Sequence, residues 1–164
     1  MGTRGLTQVI LDGEYKISQY GQWDHYPSGA GVEVLDFLRT MDADAFKDKL
    51  RALDTSPVDI RALYATLGIE VTEYGYVGSD GAKIFKRCYP QFDRDMGPGI
   101  LTSVYDGSVT HVSVDLDETW CEYIYTIDFD TGNFSVSCPG VGPTWPLDNL
   151  PTENEFLERF GESA

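Results

Sequence analysis

Residues 6–11 are rich in strand-favouring side chains, and residues 15–20 alternate apolar with polar. Asp12-Gly13 lies between the two runs. Successive side chains of a strand point to opposite faces, and Asp-Gly suits a tight reversal, so residues 6–22 predict a β-hairpin. The apolar period then lengthens to that of a helix. Val32, Leu35 and Leu38 share one face, and Phe46, Leu50 and Leu53 share another on a helix starting near Asp42 or Asp44. Ser56-Pro57 reads as an N-cap followed by proline at the first helical position, with Ile60, Leu63, Tyr64 and Leu67 as the stripe and Gly68 as the stop. Residues 69–92 are weakly patterned, with a short strand expected around 69–74. Ile100, Leu101 and Val104 predict a short helix over 98–105, closed by Asp106-Gly107. Residues 109–116 read as a strand. Residues 120–129 and 134–138 read as a hairpin turning through Asp130-Thr-Gly-Asn133. After a connector rich in proline and glycine (139–151), Thr152 and Glu155 form a capping-box pattern for a last short helix.

Strand runs and helix runs are segregated along the chain. That order predicts an α+β fold. An antiparallel sheet would be built from the N-terminal hairpin and the C-terminal strands, with the helical middle packed on one face. The 164 residues suit one domain, 1–164, and 41% hydrophobic content is enough for a core. There is no internal repeat.

Charge narrows the partners. The chain carries 27 acidic against 12 Lys and Arg residues, a formal net of −15. From Asp106 onward there are 12 acidic residues and one basic residue, Arg159. Bulk electrostatics therefore oppose direct binding to nucleic acid or to an anionic membrane. They favour a basic surface on another protein. Lys83, Lys86, Arg87 and Arg94 form a local basic group in the weakly patterned middle. No apolar run approaches the roughly 18 residues of a membrane helix. The first residues hold no apolar signal core, and the small Gly2 predicts removal of Met1; Leu6 stands where a myristoylation motif needs Ser or Thr. Three cysteines at wide spacing and two histidines match neither a disulfide framework nor a zinc site. These features predict a cytoplasmic protein without a cofactor.

Residues 21–31, Gly-Gln-Trp-Asp-His-Tyr-Pro-Ser-Gly-Ala-Gly, carry the most suggestive chemistry. Trp23 and Tyr26 offer flat faces for stacking, and Asp24 and His25 offer hydrogen bonds. Ser28, Gly29 and Gly31 lead into a helix, where free amides would hold an anion. Arg4 would neutralise a phosphate. This set (Arg4, Trp23, Asp24, Tyr26, Ser28, Gly29 and Gly31) is the candidate binding site for a nucleotide-like molecule. The competing reading is a capped loop whose rings fill the core. The pattern is neither a Walker A loop nor G-x-G-x-x-G. Other chemistry is thinner. Cys121 with His111 would need to meet across strands to form a nucleophile pair. Thr3 would not carry the free amine that an N-terminal nucleophile requires. Asp115, Asp117, Glu118, Asp128 and Asp130 would have to converge at one sheet end to hold a hard cation, and the 128–133 string lacks the glycine position and closing Glu of a calcium loop. Asp95 is placed to interact with the helix that follows it, with Arg94 as a pairing cation. No residue is assigned a catalytic or metal-binding role.

The opening Met-Gly-Thr-Arg-Gly5 and the Gln22-Trp-Asp-His-Tyr-Pro-Ser-Gly29 loop resemble a group of small proteins of bacteriophages, prophages and some bacteria. The resemblance continues in islands at Arg94-Asp-Met-Gly97 and Trp120-Cys-Glu-Tyr123. It implies a viral or mobile-element setting, and a host cytoplasm, without implying a mechanism. The expected function is a non-enzymatic accessory protein that binds a host factor or sequesters a nucleotide-like molecule, with inhibition of a host defence as one form of that role. The alternatives are an acidic decoy that mimics nucleic acid, and a hydrolase with a buried Cys nucleophile.

Overall fold

A computed structural model describes residues 2–140 and 142–162. Met1 and its predicted removal lie outside the described residues, as do Val141 of the connector, Ser163 and Ala164. The fold is α+β. Strands β1 (Gly5–Leu11) and β2 (Glu14–Gly21) form the N-terminal hairpin, and β3 (Tyr123–Asp128) and β4 (Asn133–Ser137) the C-terminal one. A short β5 (Thr144–Pro146) joins them in a five-stranded sheet of order β2-β1-β3-β4-β5. The expected antiparallel pairing holds at three of the four ladders. The fourth, β1 with β3, is parallel, with Thr7 opposite Tyr125 and Val9 opposite Ile127. Alternation sets which face a strand buries, not which way its neighbour runs. β2 already returns the chain to the end where β1 starts, with Gly5 opposite both Gly21 and Tyr123, so β3 enters from that end once the helical middle has stepped across β1.

Helices α1 (Val32–Thr40), α2 (Ala43–Ala52), α5 (Gly99–Tyr105) and α6 (Glu153–Glu158) supply the helical side of the core. One sheet face presents Val9, Ile17, Tyr125, Ile127, Phe134 and Val136 to Leu35, Phe46, Leu101 and Phe156 of these helices. Asp42 caps α2 through its carboxylate, and Thr152 and Glu155 make the reciprocal capping box of α6. The opposite sheet face carries a polar ladder. Gln8 Nε2 donates to Ser18 Oγ at 3.1 Å, Thr126 Oγ1 donates to Gln8 Oε1 at 3.1 Å, and Ser18 Oγ donates to the Asp115 carbonyl.

Several local expectations are corrected. Residues 109–116 form no strand. Their buried members Val109 and Val112 are three apart rather than two, and only a bridge between His111 and Asp54 forms. The third helix, α3 (Ile60–Thr66), starts later than Ser56-Pro57 because Asp59 takes the cap, accepting from Ala62 N at 3.1 Å. Residues 69–74 contribute only a bridge from Val71 to Val77, and a ten-residue helix, α4 (Ser79–Cys88), follows. β5 lies inside the stretch read as a connector. Among the described residues no helix is long and apolar enough to cross a membrane.

Candidate functional site

The loop after β2 is pinned from inside by His25. Gly5 and Gly21 are cross-strand partners, and the imidazole occupies the space their side chains would fill. A Cβ on Gly5 would lie 2.2 Å from His25 Cδ2, and one on Gly21 would lie 2.7 Å from Nδ1. The ring packs 5.5 Å from that of Tyr125, whose hydroxyl donates to the His25 carbonyl at 2.7 Å. His25 N donates to the Thr3 carbonyl at 3.1 Å. The side chain is fully buried, and neither ring nitrogen has a partner of good hydrogen-bond geometry. Desolvation holds the imidazole pKa down to about 4; the nearby Leu6 backbone opposes this only weakly.

Because His25 points inward, its neighbours point out. Trp23 is 50% exposed and Tyr26 37%, so neither ring is sealed in the core. Asp24 takes a left-handed conformation (φ 53°), which Asp tolerates better than most residues. Its carbonyl accepts from Ala30 N at 2.9 Å. Gly29 must stay bare, since a Cβ there would lie 2.4 Å from the same carbonyl oxygen. The Tyr26 hydroxyl donates to Asp24 Oδ1 at 3.3 Å, and the Asp24 charge raises the Tyr26 phenol above its ordinary pKa.

The amides expected to hold an anion are engaged within the chain. Residues Pro27–Gly31 form a π-helical turn leading into α1. Gly29 N and Gly31 N donate to the Tyr26 carbonyl, at 2.9 and 3.5 Å. Ser28 N donates to Glu162 Oε2 at 2.9 Å, so a carboxylate from beyond α6 takes the place foreseen for phosphate. The Arg4 side chain is directed to other groups. Its guanidinium carbon stands 5.8 Å from the centre of the Trp120 ring, and its charge acts on Tyr20 and Cys121.

What the loop borders is an acidic hollow of about 370 Å³. Trp23, Asp24 and Gly29 line it with Glu33, Asp95 and Met96. Trp23 Nε1 donates to Asp95 Oδ1 at 2.8 Å, while Lys86 Nζ reaches Asp95 Oδ2 at 2.8 Å. These two partners, Lys86 foremost, hold the Asp95 carboxyl below its ordinary value. Glu33, in the first turn of α1, is shifted the other way by partial desolvation. Glu33, Met96 and Glu162 escaped sequence reasoning because each is an ordinary residue brought in by folding. The signal within reach was the 94–97 island. Gln22 N donates to the Arg94 carbonyl at 3.0 Å and Gly97 N to the Tyr20 carbonyl at 3.2 Å, so that island lies against the loop. The other two islands also meet, since the Arg4 carbonyl accepts from Glu122 N at 2.8 Å.

The remaining candidates have separate surroundings. Cys121 Sγ is 3.8 Å from the Asp117 carbonyl, and burial with nearby carboxylates pushes its thiol up to about 11. His111 instead faces Ser56, Asp54 and the Phe92 ring. The acidic residues tie turns: Asp130 accepts from Asp12 N and Gly13 N, Asp128 from Asp130 N, and Asp115 from Asp117 N. Among the described residues no three His, Cys, Asp or Glu side chains group as a metal ion would require. Compared with protein-family models, curated proteins and solved structures, the chain matches none.

Proposed function

We propose that this protein is a non-enzymatic binding protein whose Trp23 face receives a cationic group of a protein partner. One observation carries the reading: an exposed indole and the carboxylates of Asp24, Glu33 and Asp95 border the same hollow. An ammonium or guanidinium gains from an aromatic face and from carboxylates together. Glu33 is exposed on α1, and a counter-ion beside it would offset the partial desolvation that raises its carboxyl. Lys86 neutralises part of Asp95, which leaves Asp24 and Glu33 as the principal anions. The net charge of −15 would steer a basic partner from a distance. A phosphate ligand at this loop has less support, because Ser28, Gly29 and Gly31 all donate within the chain. In the phage setting implied by the resemblance, the partner would be a host protein with a basic patch.

Calorimetric titration of an oligo-arginine peptide into the full chain tests this. Binding should weaken with salt, and Trp23→Ala and Glu33→Gln should each lower affinity about tenfold. Glu158→Gln removes the same charge outside the hollow and should change little. Equal effects from all three variants would reduce the interaction to bulk charge, and absence of heat at low salt would end the proposal.

A further inference from the structure

The α3–α4 stretch carries an apolar surface that the chain itself leaves uncovered. Tyr74 and Tyr76 are 79% and 72% exposed, the most open large apolar side chains among the described residues. They flank Gly75 on a tight turn that Thr72 braces. Thr72 N donates to the Tyr76 carbonyl at 2.8 Å, Gly75 N to the Thr72 carbonyl at 2.9 Å, and Tyr76 N to Thr72 Oγ1 at 3.1 Å. The rings are therefore held out on an ordered backbone, which lowers the entropy cost of docking them. Next to the turn lies a hollow of about 460 Å³, lined by Leu67, Ile69, Val71, Thr72 and Ile84. Ile69 rests against bare Gly81, where a Cβ would lie 2.8 Å from Ile69 Cγ2. Exposed rings beside an aliphatic hollow mark an interaction surface.

Charge selects the occupant. The anions Glu70, Glu73 and Asp80 and the cations Arg61, Lys83 and Arg87 belong to this stretch. Glu70 borders the hollow, and Lys83 and Arg87 share α4 with Ile84. Among the described residues none of the six makes an ion pair within the chain. Three unpaired anions and three unpaired cations suit a surface of the same mixed composition. A strongly basic or strongly acidic partner would satisfy one sign and bury the other unpaired. A second copy supplies both, because a two-fold contact sets the same patch against itself with residues paired crosswise. This is also where two copies repel least, since the whole net of −15 lies outside residues 57–92. Salt of cellular strength screens charges beyond roughly 8 Å but not those in contact. We infer that two copies of the chain pair through this stretch, Tyr74 and Tyr76 of each set against the Ile69–Ile84 hollow of the other.

The test is sedimentation velocity of the full chain from about 1 μM to about 1 mM at about 0.15 M salt. The mass should rise from monomer to dimer within that range. Ile84→Asp, and Tyr74→Ser combined with Tyr76→Ser, should each weaken pairing at least about tenfold. An equimolar mixture of these two variants should pair more than either alone, because the rings of the first still fit the hollow of the second. Trp120→Ala removes an exposed ring elsewhere and should change nothing. On the unaltered chain, ¹H–¹⁵N NMR signals of Gly75, Gly81 and Ile84 should shift with concentration. The inference is overturned by a chain that stays monomeric at about 1 mM, by species larger than a dimer, by a mixture no more paired than its components, or by concentration-dependent shifts confined to other residues. Because the shifts are read on the unaltered chain, a variant that fails to fold leaves the test intact. Failure here would leave the oligo-arginine result standing, since this hollow shares no lining residue with the Trp23 hollow.

Discussion

Phe134 and Phe85 are both buried, but their neighbourhoods differ. Phe134 sits inside the sheet–helix core, 5.8 Å from the Trp145 ring and 6.0 Å from that of Phe156, with aliphatic side chains from several elements around it. Phe85 is the single buried residue among residues 57–90, and its ring neighbours are Tyr64 at 4.7 Å and Tyr89 at 5.6 Å. The same stretch exposes Tyr74, Tyr76 and Ile84. It is also different in charge. Residues 57–92 hold four acidic and four basic side chains, so the whole net of −15 resides elsewhere. The sheet and its four core helices therefore form an acidic, densely packed body. The α3–α4 stretch is a neutral satellite joined to that body by a file of rings running through Tyr89, Phe92 and His111, and by the Lys86–Asp95 ion pair. Regions with few buried apolar contacts open at lower free energy than the core.

Truncating each phenylalanine should separate the two. Phe134→Ala should lower the global unfolding free energy by about 3–5 kcal/mol, as for other buried aromatics. Phe85→Ala should lower it by less than about 1 kcal/mol, yet abolish amide-exchange protection in α4. Urea denaturation and hydrogen exchange on both variants read the contrast. Equal losses of global stability would merge body and satellite into one cooperative unit.

A second probe acts only on the body. His25 has an ordinary pKa of 6.5 and is held down to about 4 in the fold. Between these values the unfolded chain binds the proton and the native chain does not, so stability rises with pH across that window. The contribution is complete above about pH 6.5 and is lost as pH falls to about 4, an effect of about 3 kcal/mol. In His25→Asn the slope of unfolding free energy against pH should flatten over that interval. The slope is the readout, so the variant's absolute stability does not matter, and carboxylates common to both proteins cancel. An unchanged slope would mean that the imidazole is protonated without opening the Gly5–Gly21 slot. The satellite's α4 protection should show no step in the same window.

Sequence pattern was most informative where burial repeats. Both hairpins, α1, α2, α5 and the capping box of α6 follow from periods of two or of three to four, because each packs a regular face against the body. Legibility fell in the satellite for a physical reason. α4 buries Phe85 alone, so its stripe is nearly absent, and Gly81 interrupts it. At the loop, the ring-rich composition marked a surface feature, but nothing in the string distinguishes the inward His25 from the outward Trp23 and Tyr26. That choice depends on two glycines from different strands lying opposite one another. The sign of the site was misleading for a related reason. Glycines before a helix suggest free amides, whereas the acceptors that engage them, Tyr26, Asp24 and Glu162, are matched only by the folded chain.

Asp95 gives the finest test, because it joins the two parts. One oxygen takes the Trp23 indole on the body and the other takes Lys86 of α4. The Lys86 and Asp95 side chains retain 52% and 32% of their surface, so solvent screens the pair and its loss should cost less than about 1 kcal/mol. Asp95→Asn should thus leave the global unfolding midpoint almost unmoved. Its effect should instead appear locally, as faster exchange of the Trp23 indole proton and of the α4 amides. The depressed Asp95 carboxyl sets the matching pH dependence: the tether is intact above the ordinary carboxylate range and is lost as pH falls through its lowered value. Local exchange in α4 should rise there, below the window in which His25 titrates. If Asp95→Asn speeds neither set of protons, the ring file alone holds the satellite, and the Trp23 hollow keeps its shape without the ion pair.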